Sequence, residues 1–155
     1  MAINLVRKSY DNLKSVPGGK AIFSVMVGRA APFTGTIGGR VALLEEGHAV
    51  VRMRDRRAVR NHLNSVHAIA MMNLAEMTTG LAFIYGLPDD ARAILTGLSI
   101  DYLKKGRGTL TGECWCEVPS DNRRREVEVK GVITDEAGDK VALAVARWLL
   151  GPKKG

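Results

Sequence analysis

A single glutamate interrupts a long apolar stretch of this chain. Glu76 stands between Ala75 and Met77, inside the segment Ser65–Tyr85, whose length and composition predict one long helix ended by Gly86. A helix that is apolar on nearly every side is normally buried. Burying a carboxylate is costly and raises its affinity for protons, which suits a general base near neutral pH. The plainer alternative is a glutamate that faces solvent or pairs with an arginine.

A second group of candidate residues surrounds the predicted start of this helix. Ser65 is a candidate N-cap, and His67 stands at the helix opening, where a capping or core histidine is the plain alternative to a functional one. The backbone amides of Ala68 and Ile69 would lack helical acceptors, and the helix dipole favours negative charge beside them. They are candidates for polarising a carbonyl as an oxyanion hole. Asn61 precedes the helix and is a candidate contact for the same substrate or for water.

Spacing separates the two groups. Glu76 follows Ala68 by eight positions, which is about 12 Å along a helix at about 1.5 Å per residue. One helix therefore cannot bring both groups to one carbonyl, whereas two antiparallel copies in a twofold dimer can. Asn73, three residues before Glu76, lies on the same helix face and is a candidate for orienting the carboxylate.

The elements that must position these groups follow from periodicity and turn residues. A surface helix is predicted over residues 3–14 and ends at Pro17-Gly18-Gly19. Residues 20–27 fit either a short helix or a strand, and residues 31–35 read as a loop. Two strands, 36–44 and 48–54, are joined by a tight turn that contains Gly47.

Four strands are predicted after the long helix, at residues 91–103, 108–118, 124–134 and 140–149. In the third of these, Val127, Val129 and Val132 share a face only if Gly131 marks a bulge. An antiparallel sheet that curves around the single apolar helix satisfies both burial patterns. The predicted class is α+β, with residues 1–155 forming a single domain behind an N-terminal helix.

Residues 61–76, NHLNSVHAIAMMNLAE, resemble the pattern N-x-x-x-x-x-H-G-G-A-x-x-x-L-A-[DE] of hotdog-fold acyl-CoA thioesterases of the phenylacetate-pathway type. Residues 100–108, IDYLKKGRG, look like the strand of these enzymes that runs into the CoA-binding edge. The resemblance implies a hotdog fold, a homodimer or a pair of such dimers, and hydrolysis of an acyl-CoA to free acid and CoA. It implies no metal and no cofactor beyond the CoA of the substrate.

The same resemblance implies roles for individual residues. Glu76 matches the catalytic carboxylate, as general base or nucleophile, and the amide of Ala68 matches the oxyanion hole. Asn61 matches the asparagine that binds the carbonyl or the attacking water, and His67 matches a chiefly structural histidine. Basic residues that meet CoA phosphates in the family correspond to Lys104, Lys105 and Arg107.

One departure from the pattern keeps a second function open. The two glycines of the motif are Ala68 and Ile69 here, and the isoleucine adds bulk where the backbone meets the acyl group. Some members of the superfamily bind acyl groups without hydrolysing them. A non-catalytic acyl-CoA or fatty-acyl binding protein is therefore the alternative.

Charge raises a third possibility. The net charge is +7, and residues 52–60 contain five arginines, a balance that favours a polyanionic partner. Aromatic residues make up only 5% and do not alternate with the basic ones, so specific nucleic-acid binding is disfavoured.

The spacing of Cys114 and Cys116 suits neither a disulfide nor half of a zinc site. No secretion signal or membrane span is recognised, and we expect a cytoplasmic protein.

Overall fold

The computed structural model describes residues 3–153 of the chain. Four α-helices, six β-strands and one 3-10 turn follow in this order: α1 (Leu5–Leu13), α2 (Gly19–Ala30), α3 (Pro32–Gly35), β1 (Arg40–Glu45), β2 (His48–Met53), the 3-10 turn (Arg57–Val59), α4 (Ala68–Gly86), β3 (Ala91–Tyr102), β4 (Leu110–Trp115), β5 (Arg125–Thr134) and β6 (Lys140–Pro152).

The strands form one antiparallel sheet in the order β1-β2-β4-β5-β6-β3. The first strand after α4 therefore crosses to the far edge of the sheet, where it pairs with the last strand. Helix α4 packs against all six strands. The predicted architecture, an antiparallel sheet around one long apolar helix with an N-terminal helix, is confirmed, and α2 and α3 add two further helices before the sheet.

The burial of α4 explains why the sequence of this helix is so apolar. Leu74, Ala82 and Phe83 are fully buried between the helix and the sheet. By length and composition alone the helix would also be able to cross a membrane, but two thirds of its most apolar window is buried within the fold. The cover supplied by the sheet accounts for the apolar residues of this helix.

The segment before the sheet differs from its prediction. Residues 20–27, which fit a helix or a strand, lie in helix α2, and residues 32–35 of the predicted loop form the short helix α3. The first strand begins at Arg40 rather than at residue 36. The cause is a turn in which the Gly38 amide donates to the Gly35 carbonyl, with Gly38 at a φ of 63° that favours glycine.

Gly131 does not mark a bulge, which was the condition for Val127, Val129 and Val132 to share a face. The pairing of β5 with β6 runs without a break through Gly131, and the irregularity lies between Ile133 and Thr134. Gly131 and Ile133 therefore share the buried face, and Val132 turns away from it. A Cβ at Gly131 would lie 3.1 Å from Cγ2 of Thr79, so the glycine serves the close approach of α4 to the sheet.

Close packing of α4 on β4 gives a test of this arrangement. A Cβ at Gly112 would lie 2.5 Å from Oγ1 of the buried Thr78 and 3.2 Å from Cγ of Leu74. We expect Gly112→Ala to lower the free energy of unfolding by about 1–3 kcal/mol, because the helix must move or Thr78 must change rotamer. Urea denaturation of the purified protein measures the change.

Gly151→Ala is the matched control, since Gly151 also lies in a strand and a Cβ there meets nothing within 4 Å. It should leave the free energy of unfolding within about 0.5 kcal/mol of the starting protein. Equal losses for the two variants would show that α4 does not lie against β4 in this way.

Candidate functional site

Helix α4 begins at Ala68, and its N-cap is His67 rather than the predicted Ser65. The Nδ1 atom of His67 accepts a hydrogen bond from the Ile69 amide at 3.0 Å, which leaves the proton of a neutral ring on Nε2. The Ser65 hydroxyl instead donates to Oδ1 of Asn61 at 3.1 Å. The amides of Ala68 and Ile69 are both predicted to donate to a substrate carbonyl. The Ile69 amide, however, already donates to the capping side chain of His67.

The amide of Ala68 has no acceptor among residues 3–153. It lies at the positive end of a 19-residue helix, where an acceptor that carries developing negative charge is favoured. The Ala68 carbonyl accepts a hydrogen bond from the Tyr102 hydroxyl at 2.7 Å, and the Val66 amide donates to the Gly106 carbonyl at 2.8 Å. These two bonds fix the start of the helix to the end of β3 and the segment that follows it.

Asn61 is held in a tight loop before the helix. Its Oδ1 atom accepts from the Leu63 amide at 2.9 Å and from the Ser65 amide at 3.3 Å, in addition to the Ser65 hydroxyl. This oxygen is therefore fully occupied by the loop. The Nδ2 group has no acceptor within the described part of the chain, so it is the atom of Asn61 that is able to donate to a ligand.

A surface depression of about 240 Å³ brings several predicted residues together. Asn61, Ala68, Lys104 and Lys105 all line it. Tyr102 lines it too and was missed, although it stands in the IDYLKKGRG segment that the family resemblance singled out. The wall is completed by Leu63, Ser65, Val66, Met71, Leu103 and Gly106. The depression is thus bordered by a free helix amide, an asparagine and two lysines.

The basic residues of this region differ in how free their charges are. Nζ of Lys104 lies 2.7 Å from Oδ2 of Asp135 and 2.9 Å from Oδ2 of Asp139, so this lysine holds the turn between β5 and β6. These carboxylates raise the pKa of Lys104. Lys105 and Arg107 are exposed and form no ion pair within residues 3–153. Arg107 does not line the depression.

Glu76 is half-buried on α4, and within the described residues its carboxylate has no hydrogen bond and no ion pair. Burial raises the pKa of the carboxyl above its ordinary value. Glu76 does not line the depression at the start of the helix. One chain therefore does not bring Glu76 and Ala68 to one point, as the helical rise between them predicts.

The remaining two predicted residues lie on another side of the helix. His67 and Asn73 line a separate depression of about 180 Å³, together with Phe33 and Ile69. The Nδ2 group of Asn73 donates to the Phe33 carbonyl at 3.1 Å, and its buried Oδ1 atom has no donor among residues 3–153. The predicted contact of Asn73 with Glu76 is not seen, because the amide instead holds α3 against α4.

No cluster of histidine, cysteine and carboxylate side chains that would hold a metal ion is present within residues 3–153. Cys114 is buried, Cys116 is partly buried, and both are free thiols. At the start of α4, residues 3–153 offer a ligand the Ala68 amide, the Asn61 side-chain amide and the cationic side chains at the rim.

Known proteins share this fold. A structural-genomics crystal structure is 26% identical and covers 96% of this chain and 99% of its own, with a TM-score of 0.80. A Pseudomonas aeruginosa protein described as a probable thioesterase is 22% identical, with coverages of 83% and 92% and a TM-score of 0.73. A hypothetical thioesterase from Streptococcus pneumoniae, solved with coenzyme A, is 20% identical, with coverages of 83% and 99% and a TM-score of 0.68.

No curated protein matches the sequence. The model of a family described as a domain of unknown function, DUF4442, matches residues 19–150, which is most of the chain. The predicted hotdog fold is confirmed by structures described as thioesterases that share it. The chain therefore belongs to the DUF4442 family and has the hotdog fold that structures described as thioesterases share.

Proposed function

We propose that this protein hydrolyses an acyl-CoA thioester to a free acid and CoA. The observation that carries the proposal is a helix with two groups that have no partner among residues 3–153: the backbone amide at its accessible start and a half-buried carboxylate further along. Structural relatives called thioesterases, one of them solved with coenzyme A, support the same interpretation. Fold likeness alone does not assign an activity, so the proposal depends on this pair of groups.

In the proposed reaction the Ala68 amide and the Glu76 carboxylate have separate roles. The Ala68 amide donates a hydrogen bond to the thioester carbonyl oxygen, and the helix dipole stabilises the charge that develops there. Glu76 takes a proton from water as the water oxygen bonds to the carbonyl carbon. The carbon–sulfur bond then breaks, and the proton passes from Glu76 to the departing thiolate of CoA. The products are the acid and the free thiol, and Glu76 is restored.

This reaction requires two copies of the chain. Ala68 and Glu76 of one helix are about 12 Å apart along its axis, and only Ala68 lines the depression at its start. In a twofold homodimer with antiparallel α4 helices, the start of one helix faces the Glu76 of the other, and two equal sites result. The dimer, or a tetramer built from two such dimers, belongs to this proposal.

The charged end of CoA would lie along the rim of the depression. Lys105 and Arg107 are exposed cations without a carboxylate partner among residues 3–153, so we expect them to contact the phosphates. Lys104 already lies between Asp135 and Asp139, and its contribution should be smaller. We expect the Nδ2 group of Asn61 to donate to the thioester carbonyl or to the attacking water.

One observation favours the second candidate function, acyl-CoA or fatty-acyl binding without hydrolysis. The Ile69 amide is taken up by His67, and the Ile69 side chain is 51% exposed beside the helix start. A carbonyl placed there meets one backbone donor and a bulky side chain. Measuring hydrolysis and binding on the same samples separates the two functions.

We expect Glu76→Gln to slow hydrolysis by at least about 100-fold while acyl-CoA still binds, because the amide cannot accept the proton of water. A panel of acyl-CoAs with a thiol reagent measures release of CoA. Glu46→Gln, which removes an exposed carboxylate at the turn between β1 and β2, should leave the rate unchanged. Binding without any thiol release by the unmodified protein would favour the non-catalytic function.

The same substitution should stabilise the fold at pH 7. The pKa of Glu76 is higher in the folded chain than in the unfolded chain, so the folded state binds the extra proton as the pH falls between the two values. Ionised Glu76 therefore lowers stability above that interval, and the neutral amide of the variant removes this cost. Thermal unfolding should show a higher Tm for Glu76→Gln at pH 7 and no difference below about pH 4. A lower Tm at pH 7 would mean that Glu76 has a stabilising partner.

A further inference from the structure

A cavity with a volume of about 630 Å³ lies between α2, α3 and the start of β1. This volume is within the range of about 300–1,000 Å³ that is usual for small-molecule sites. It shares no lining residue with the depression at the start of α4. Its wall contains two arginines and no carboxylate: Ser24, Val25, Gly28, Arg29, Pro32, Thr34, Gly35, Thr36, Gly38, Gly39, Arg40 and Met77.

Two arginines line this cavity, and two more stand next to residues that line it. Arg29 and Arg40 line it, and Arg52 is the direct cross-strand partner of Arg40. Nη2 of Arg56 donates to the Thr36 carbonyl at 2.6 Å, which places a further guanidinium beside a lining residue. None of the four forms an ion pair within residues 3–153. Like charges opposite one another across strands are destabilising, so an anion between them would relieve the repulsion.

Apolar side chains continue from the cavity onto the surface of α2. Ile22, Val25 and Met26 are 51%, 45% and 43% exposed, and their spacing places them with Arg29 on one face of the helix. Val25 also lines the cavity, whose floor includes Met77. The site therefore offers guanidinium groups beside an apolar track, which is the complement of an amphiphilic anion.

We propose that this cavity binds an organic phosphate that carries an apolar chain. Guanidinium groups match phosphate oxygens in geometry and charge, and Arg29 and Arg40 supply two of them at the cavity wall. The apolar chain of the ligand would contact Val25, and then either Met26 on the surface of α2 or Met77 inside the cavity. The proposal does not depend on hydrolysis, because none of its residues belongs to the site around Ala68 and Glu76.

Calorimetric titration of the full-length protein with decyl phosphate and with inorganic pyrophosphate tests the proposal. We expect saturable binding of both, with decyl phosphate the tighter ligand because its chain adds apolar contact. The double variant Arg29→Gln/Arg40→Gln should weaken both by at least about tenfold, since it removes two charged hydrogen-bond donors. Both positions are exposed, so the variant should fold normally.

The matched control is Arg124→Gln/Lys140→Gln, which removes the same charge from exposed positions outside the cavity. Its affinities should stay unchanged. Absence of binding to the unmodified protein, or equal weakening in the two double variants, would overturn the proposal. Val25→Trp, which fills the cavity without removing charge, should weaken decyl phosphate more than pyrophosphate.

The source of the phosphate is distinguished by competition. If CoA displaces decyl phosphate, the nucleotide phosphates of CoA reach the cavity; if it does not, the cavity serves a lipid-like phosphate. Thiol release measured on the same variants keeps this proposal separate from the hydrolysis proposal. Loss of decyl phosphate binding with normal hydrolysis in Arg29→Gln/Arg40→Gln shows two independent sites.

Discussion

The need to cover one apolar helix on all sides determines the rest of this structure. Helix α4 has no polar face, and all six strands pack against it. Cover so complete requires close contact, and glycines at 112 and 131 allow the sheet to approach Thr78 and Thr79. The start of the helix stays accessible, and its first backbone amides lack helical acceptors. The fold thus presents a polarised helix terminus at the protein surface.

The strand order connects this constraint to the candidate site. Because β3 crosses to the far edge and pairs with β6, its end arrives beside the start of α4, where Tyr102 donates to the Ala68 carbonyl. The following segment accepts the Val66 amide and carries the lysines of the rim. Glu76, in contrast, lies within the helix and is half-buried. Its carboxylate has no hydrogen-bond or ion-pair partner among residues 3–153. The start of the helix and the carboxylate are separate features of one chain.

Periodicity predicted most of the fold because burial repeats at the helical and strand spacings. Prediction from periodicity failed where only one side of an element is buried, and where a contact joins residues far apart in the sequence. Helix α2 was ambiguous because Ile22, Val25 and Met26 are apolar yet exposed, and the helix start was misplaced because Ser65 and His67 are both able to cap. The resemblance placed Asn61, Ala68, Lys104 and Lys105 in one site, and the structure brings these together. The ion pairs of Lys104 join residues more than 30 positions apart, which local spacing does not reveal.

Mixed dimers test most directly whether a site is shared between two chains. One chain would carry Glu76→Gln and the other Ala68→Pro, which removes the amide donor at the first helical position, where proline is tolerated. Each variant alone should be inactive, whereas a mixed dimer purified through two different tags keeps one intact site and about half of the activity. An inactive mixed dimer, measured beside an active dimer of two differently tagged unmodified chains, would contradict the account.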